Sequence, residues 1–163
     1  MQKQGRRLWI DGHTHMLRRT VHSSEVLDYT LDDILTVLDG SDADLRFVVS
    51  DNNPADVARF VEEPDYLHAM NERLYSQFVQ PAQGRFFGSV QIDPRATKQS
   101  HADLDLYLSE RNFVQVGEVE GLPFGFDLDS SEMIELARHA AKLGAPVQLH
   151  CSTADSPTGE HLR

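Results

Sequence analysis

The chain has 163 residues, 40% hydrophobic and 25% charged, which suits a single soluble globular domain with a core of its own. Its formal net charge of −11 argues against a broad nucleic-acid surface, because phosphates are repelled by an acidic field, but leaves room for a small basic patch at a site. No apolar run is long enough to span a membrane, no secretory signal opens the chain, and the lone Cys151 excludes an internal disulfide and fits a reducing, cytoplasmic compartment.

In chain order, Leu8-Trp9-Ile10 is a short apolar run that predicts a first buried strand, closed by Asp11-Gly12-His13-Thr14-His15. Residues 17–29 read as a polar loop with Arg18, Arg19 and His22. Thr30 is placed to cap a helix with Asp33 at its third position, and Leu31, Ile34, Leu35 and Leu38 make its apolar stripe. Gly40-Ser41-Asp42 stops it, and residues 45–50 predict a second strand rich in β-branched and aromatic side chains. After the turn residues Asp51-Asn52-Asn53-Pro54 come a short helix through Val57, Phe60 and Val61 and a longer one from Pro64. Leu67, Met70, Leu74, Tyr75 and Phe78 form the inward face of the longer helix, and Pro81 and Gly84 end it.

Residues 86–93 predict the third strand, stopped by Pro94, and residues 98–110 a helix packing through Leu104, Leu106 and Leu108. The fourth strand covers 113–119. Gly121, Pro123 and Gly125 interrupt the chain before an amphipathic helix capped by Ser130 or Asp129, with Met133, Ile134, Leu136, Ala137, Ala140 and Leu143 at helical spacing. Gly144 closes that helix, 146–151 is the fifth strand, and 152–163 a polar loop. Five strands alternating with helices predict an α/β fold with a parallel sheet and right-handed crossovers, without internal repeat or second domain in 1–163.

In such folds the carboxyl ends of the strands line one rim, where sites form. That rim collects His13 and His15 after the first strand, Asp51 and Asn52 after the second, and Asp93 after the third. It also collects Glu118 and Glu120 at the fourth and His150 at the fifth. Residues i and i+2 of a strand share a face, so His13 and His15 point together, with Asp11 on the same face to hold a histidine from behind. Three imidazoles and a carboxylate make a shell for zinc above all, with manganese or iron compatible. Arg18 and Arg19, in the first loop, are candidates to grip a substrate carboxylate or phosphate, or are simply solvated. His22, His68, His101, His139 and His161 read as surface residues, Asp39, Asp42 and Asp44 as a solvated loop, and Cys151 as a packing residue.

Asp11-Gly12-His13-Thr14-His15, with Gly117-Glu118 on a later strand and His150 ending the next, resembles the amidohydrolase superfamily of metal-dependent hydrolases. Residues 86–95 and 146–150 are similar to its amidohydrolase-related branch, which includes hydrolases and nonoxidative decarboxylases. Residues 116–122 resemble the Gly-Glu strand of TatD-type deoxyribonucleases. The resemblance implies a (β/α)8 barrel with His13, His15 and His150 as metal ligands. Glu118 is implied as a ligand or bridging carboxylate on the TatD-like alignment, or as a pocket residue on the decarboxylase-like one, and is the catalytic proton acceptor if no later aspartate serves. It also implies a histidine after the sixth strand and an aspartate after the eighth. A barrel of this type takes ~250 residues, so the chain is expected to hold its first five β/α units, with roughly a third absent.

The function expected is a metal-dependent hydrolase acting on a small molecule through an amide, ester or phosphoester bond. This chain alone would be inactive if incomplete, and would associate with further copies through its open sheet edges. The rivals are a TatD-type nuclease, disfavoured by the acidic charge, a nonoxidative decarboxylase, and a non-catalytic binding domain built on an open doubly wound sheet. Against the last, no glycine-rich phosphate loop follows the first strand.

Overall fold

A computed structural model describes residues 6–15, 19–22, 25–28, 30–51, 59, 61–82 and 84–150. The strands in chain order are β1 (Leu8–His15), β2 (Arg19–His22), β3 (Glu25–Asp28), β4 (Asp44–Ser50), β5 (Phe86–Val90), β6 (Phe113–Val119) and β7 (Val147–Leu149). Helices α1 (Leu31–Asp39), α2 (Leu67–Leu74) and α3 (Thr97–Glu110) precede β4, β5 and β6, while α4 (Gly121–Phe124) and α5 (Ser131–Lys142) lie between β6 and β7. One five-stranded sheet runs in the order β1-β4-β5-β6-β7 with every pairing parallel. Each crossover carries an apolar helix back across it, which is what the alternation in the sequence demands.

Local chemistry sets the element ends. Thr30 accepts the Asp33 amide at 3.1 Å while the Asp33 carboxylate accepts the Thr30 amide at 2.9 Å, a reciprocal cap that starts α1. Of the two candidate caps for α5, Ser130 serves, accepting the Met133 amide at 3.2 Å. Val49, Val90 and Val116 of the sheet are fully buried in one core with Leu67, Leu74, Leu104 and Leu136 from the helices. Tyr107 of α3 is hidden there too, with its hydroxyl donating to Glu72 at 2.9 Å.

Three expectations need correction. Residues 19–28 are not all loop, because β2 and β3 pair antiparallel, with Val21 opposite Val26 and Thr20 opposite Leu27. Thr20, Val21 and Val26 are strand formers by type, a preference that outweighs the polar flanks. The third strand ends at Val90 rather than 93. Beyond it the Asn71 side chain takes the place of a neighbouring strand, accepting the Gln91 amide at 2.8 Å and donating to the Gln91 carbonyl at 3.0 Å. Finally, His68, His101 and His139 are not simply solvated: each meets a carboxylate, Asp103 at 2.7 Å, Glu135 at 3.0 Å and Asp105 at 2.7 Å respectively. His22 has no described side chain, and His161 and Cys151 lie outside the described residues.

The sheet stops at β1 and β7. Among the described residues no strand covers the outer edge of β1, and Leu8, Trp9 and Ile10 are 49%, 53% and 61% exposed. No described helix is long and apolar enough to cross a membrane.

Candidate metal centre

β1 delivers His13 and His15 at its carboxyl end, their rings 4.6 Å apart and nearly perpendicular. From across two intervening strands β6 delivers Glu118, buried, with its Oε2 3.5 Å from His13 Nε2 and 3.4 Å from His15 Nε2. The other oxygen, Oε1, meets His150 Nδ1 at 2.7 Å. Glu118 is thus shared by two groups of side chains, among the described residues, whose ligand atoms lie close enough to hold a metal ion, His13–His15–Glu118 and Glu118–Glu120–His150. The structure does not join His150 directly to the His13–His15 pair in one cluster; the carboxylate stands between them.

The two kinds of spacing mean different things. A separation of 2.7 Å is a charge-assisted hydrogen bond, and it holds the His150 imidazole above its ordinary pKa, with burial opposing and the Glu118 and Glu120 charges adding to the rise. Separations of 3.4 and 3.5 Å are long for a hydrogen bond. They match the edge of a coordination polyhedron, since two donors on one cation at ~2.0–2.1 Å with tetrahedral angles stand about 3.3 Å apart.

Ser50, the last residue of β4, positions His15 from behind: its Oγ lies 3.0 Å from His15 Nδ1, and the serine is buried. In the tautomer that donates Nδ1–H to Ser50, Nε2 carries its lone pair toward Glu118, as a ligand must. His13 Nδ1 is buried without a hydrogen-bond partner. Glu118 owes its placement to Gly117, whose φ is 121° and whose carbon lies so near β7 that a Cβ would stand 2.5 Å from the Gln148 carbonyl oxygen. The peptide between Gly117 and Glu118 is cis. Below the centre, Gln115 bridges the Gly12 carbonyl at 3.3 Å and Gln148 Oε1 at 2.9 Å, tying β6 to β1 and β7.

Other rim residues are occupied differently. The Asp11 carboxylate accepts the His13 backbone amide at 3.0 Å. Asp51 is clamped by Arg73, with Nε at 2.7 Å and Nη2 at 2.6 Å, and buried Asp93 by the Arg95 guanidinium and backbone amide. Arg19 opens β2, while Arg18 and Asn52 lie outside the described residues. Sequence reasoning missed Ser50, Gln115 and Gln148; the signal for Ser50 was its place at the carboxyl end of the strand next to the histidines.

No family model matches the sequence, and no curated protein does. Solved structures do match. A dihydroxybenzoic acid decarboxylase from a Polaromonas species, solved with manganese and the inhibitor 2-nitroresorcinol, superposes with a TM-score of 0.62 at 18% identity, over 98% of this chain and 53% of that one. The 2,6-dihydroxybenzoate decarboxylase from Rhizobium gives 0.58 at 16% identity, over 96% of this chain and 54% of that one. A probable 2-pyrone-4,6-dicarboxylic acid hydrolase from Acinetobacter baumannii gives 0.53 at 18%, over 87% and 49%. In part, the chain has the fold of these enzymes. It spans about half the length of these structures, and its five parallel strands with their helices match a partial TIM-type barrel.

Proposed function

We propose that residues 1–163 are one domain, the N-terminal five β/α units of an amidohydrolase-type enzyme, and that they hold a divalent cation through His13, His15 and Glu118. The observation that carries this is the pair of 3.4 and 3.5 Å approaches of two imidazole Nε2 atoms to one carboxylate oxygen. Nitrogen and oxygen donors of this kind suit zinc, manganese or iron. A cation bound there supplies Lewis acidity and a water acidified toward neutrality.

The chain's own side chains do the holding. Ser50 anchors the His15 ring, and His150 donates to Glu118 Oε1, so that Oε2 remains for the cation. His150, held at Nδ1 by Glu118, keeps its Nε2 as a further donor. Arg18 and Arg19, in the connection after β1, are proposed to receive an anionic group of a small-molecule substrate. Water attack on an amide, ester or phosphoester is the reaction proposed. A nonoxidative decarboxylation of an aromatic acid is the second reading, supported by the decarboxylases among the similar structures.

Metal analysis of protein purified without chelators tests the centre. One equivalent of a divalent cation is expected, falling sharply in His13→Ala and in His15→Ala. Substoichiometric metal that neither substitution changes would remove the proposal.

A further inference from the structure

We infer that the outer face of the half-barrel carries a second divalent-cation site, built from His101 and His139. His101 and Asp105 lie one helical turn apart on α3, and Glu135 and His139 one turn apart on α5. The two helices pair these residues crosswise. His101 Nε2 meets Glu135 Oε1 at 3.0 Å, and His139 Nε2 meets Asp105 Oδ1 at 2.7 Å.

Each imidazole is therefore held at one nitrogen by a carboxylate from the opposite helix, leaving Nδ1 for a cation. This is the carboxylate–histidine–metal arrangement, in which the carboxylate fixes the ring and raises its basicity. The rings stand close enough for one cation to reach both. Their centroids are 4.6 Å apart at 82°, against 4.6 Å and 85° for His13 and His15 at the candidate centre. Two imidazoles on one zinc ion, with Zn–N bonds of ~2.0 Å, place their centroids about 5 Å apart.

The rings are largely covered, with their side chains 27% and 25% exposed, so little conformational freedom is lost on binding. The carboxylates are 64% and 62% exposed, leaving room for water to complete the coordination. Four protein donors do not converge here, so the cation is held by two nitrogens and water, more weakly than at the inner centre. Zinc or copper, which favour imidazole, are the cations it would take.

Zinc alone is the probe. In a His13→Ala/His15→Ala background, which lacks the inner imidazoles, equilibrium dialysis against zinc should show one more equivalent bound than in the same protein carrying His101→Gln/His139→Gln. If the background variant fails to fold, the comparison is made in the otherwise unaltered chain, where the outer double substitution should remove one equivalent. In either protein, imidazole NMR should show His101 and His139 shifting together as zinc is added. Glu135→Gln should weaken the outer site ~10–100-fold while leaving its stoichiometry intact. Equal zinc binding with and without the two outer histidines overturns the inference.

Discussion

His15 and Ser50 are partners twice over: they face each other in the parallel register of β1 and β4, and Ser50 Oγ sits 3.0 Å from His15 Nδ1. Register here does chemical work, because a one-residue slip would turn the serine to the opposite face and leave the ring unanchored. Ser50→Ala should keep the fold and weaken cation affinity by ~10–100-fold, the usual cost of losing a group that orients a ligand. Chelator competition measures it. An unchanged affinity would show that His15 needs no anchor.

Gly117→Ala should be far more damaging than its single methyl suggests. The added carbon would lie 2.5 Å from the Gln148 carbonyl oxygen and 3.0 Å from the Val119 nitrogen, both backbone atoms that cannot swing aside. A φ of 121° is also one that an L-residue adopts only at a cost. Strain of this kind is worth about 1–3 kcal/mol, and its relief would move Glu118, the next residue, off the centre. We expect both a lower Tm and lost metal binding. A variant that kept wild-type Tm would contradict the close approach of β6 and β7.

The strand–helix alternation was legible because apolar runs and helical stripes are local signals, and the five-stranded parallel sheet follows from them. His13 and His15 could be paired from the two-residue period of a strand, and Glu118 and His150 could be brought to their rim by the rule that strand ends share a face. What could not be read depends on partners distant in sequence. The third strand ends early because Asn71, 20 residues earlier, takes the backbone groups of Gln91. Asp51 and Asp93 looked like site carboxylates by position, yet Arg73 and Arg95 hold them. The placing of Glu118 between the histidine pair and His150 is likewise a product of sheet curvature, not of any spacing along the chain.

Acid should loosen the contact between α2 and α3. Burial pushes the Glu72 carboxyl up, but hydrogen bonds from the Tyr107 hydroxyl and the Arg111 guanidinium, with the Arg111 charge, outweigh it and leave the pKa below the ordinary 4.5. A folded pKa that is depressed contributes stability above the unfolded value and loses it as pH falls through the folded one. The Tm difference between wild type and Glu72→Gln should therefore be larger at about pH 7 than at about pH 3. Because the side chain is 44% exposed, the effect is modest. Thermal denaturation at the two pH values reads it, and an equal difference at both would refute the pairing.

The last prediction concerns the edge of the sheet. β1 pairs with β4 on one side only among the described residues, and its start presents Leu8, Trp9 and Ile10 at 49–61% exposure. An apolar strand with one unpaired row of amides and carbonyls is a template for another strand, and the devices that usually blunt such an edge, proline or inward charge, are missing from residues 8–10. In the similar barrels about half of each chain lies beyond what this one matches, so a closed barrel would cover that edge with further strands. The 163-residue chain studied by itself should then self-associate, with sedimentation velocity showing a concentration-dependent rise above the monomer. Ile10→Lys, which puts a charge on the most exposed of the three residues without touching the buried core, should shift the distribution back toward monomer. A wild-type chain that sediments as a stable monomer at high concentration, with a sharp unfolding transition, would mean that the edge is covered from within.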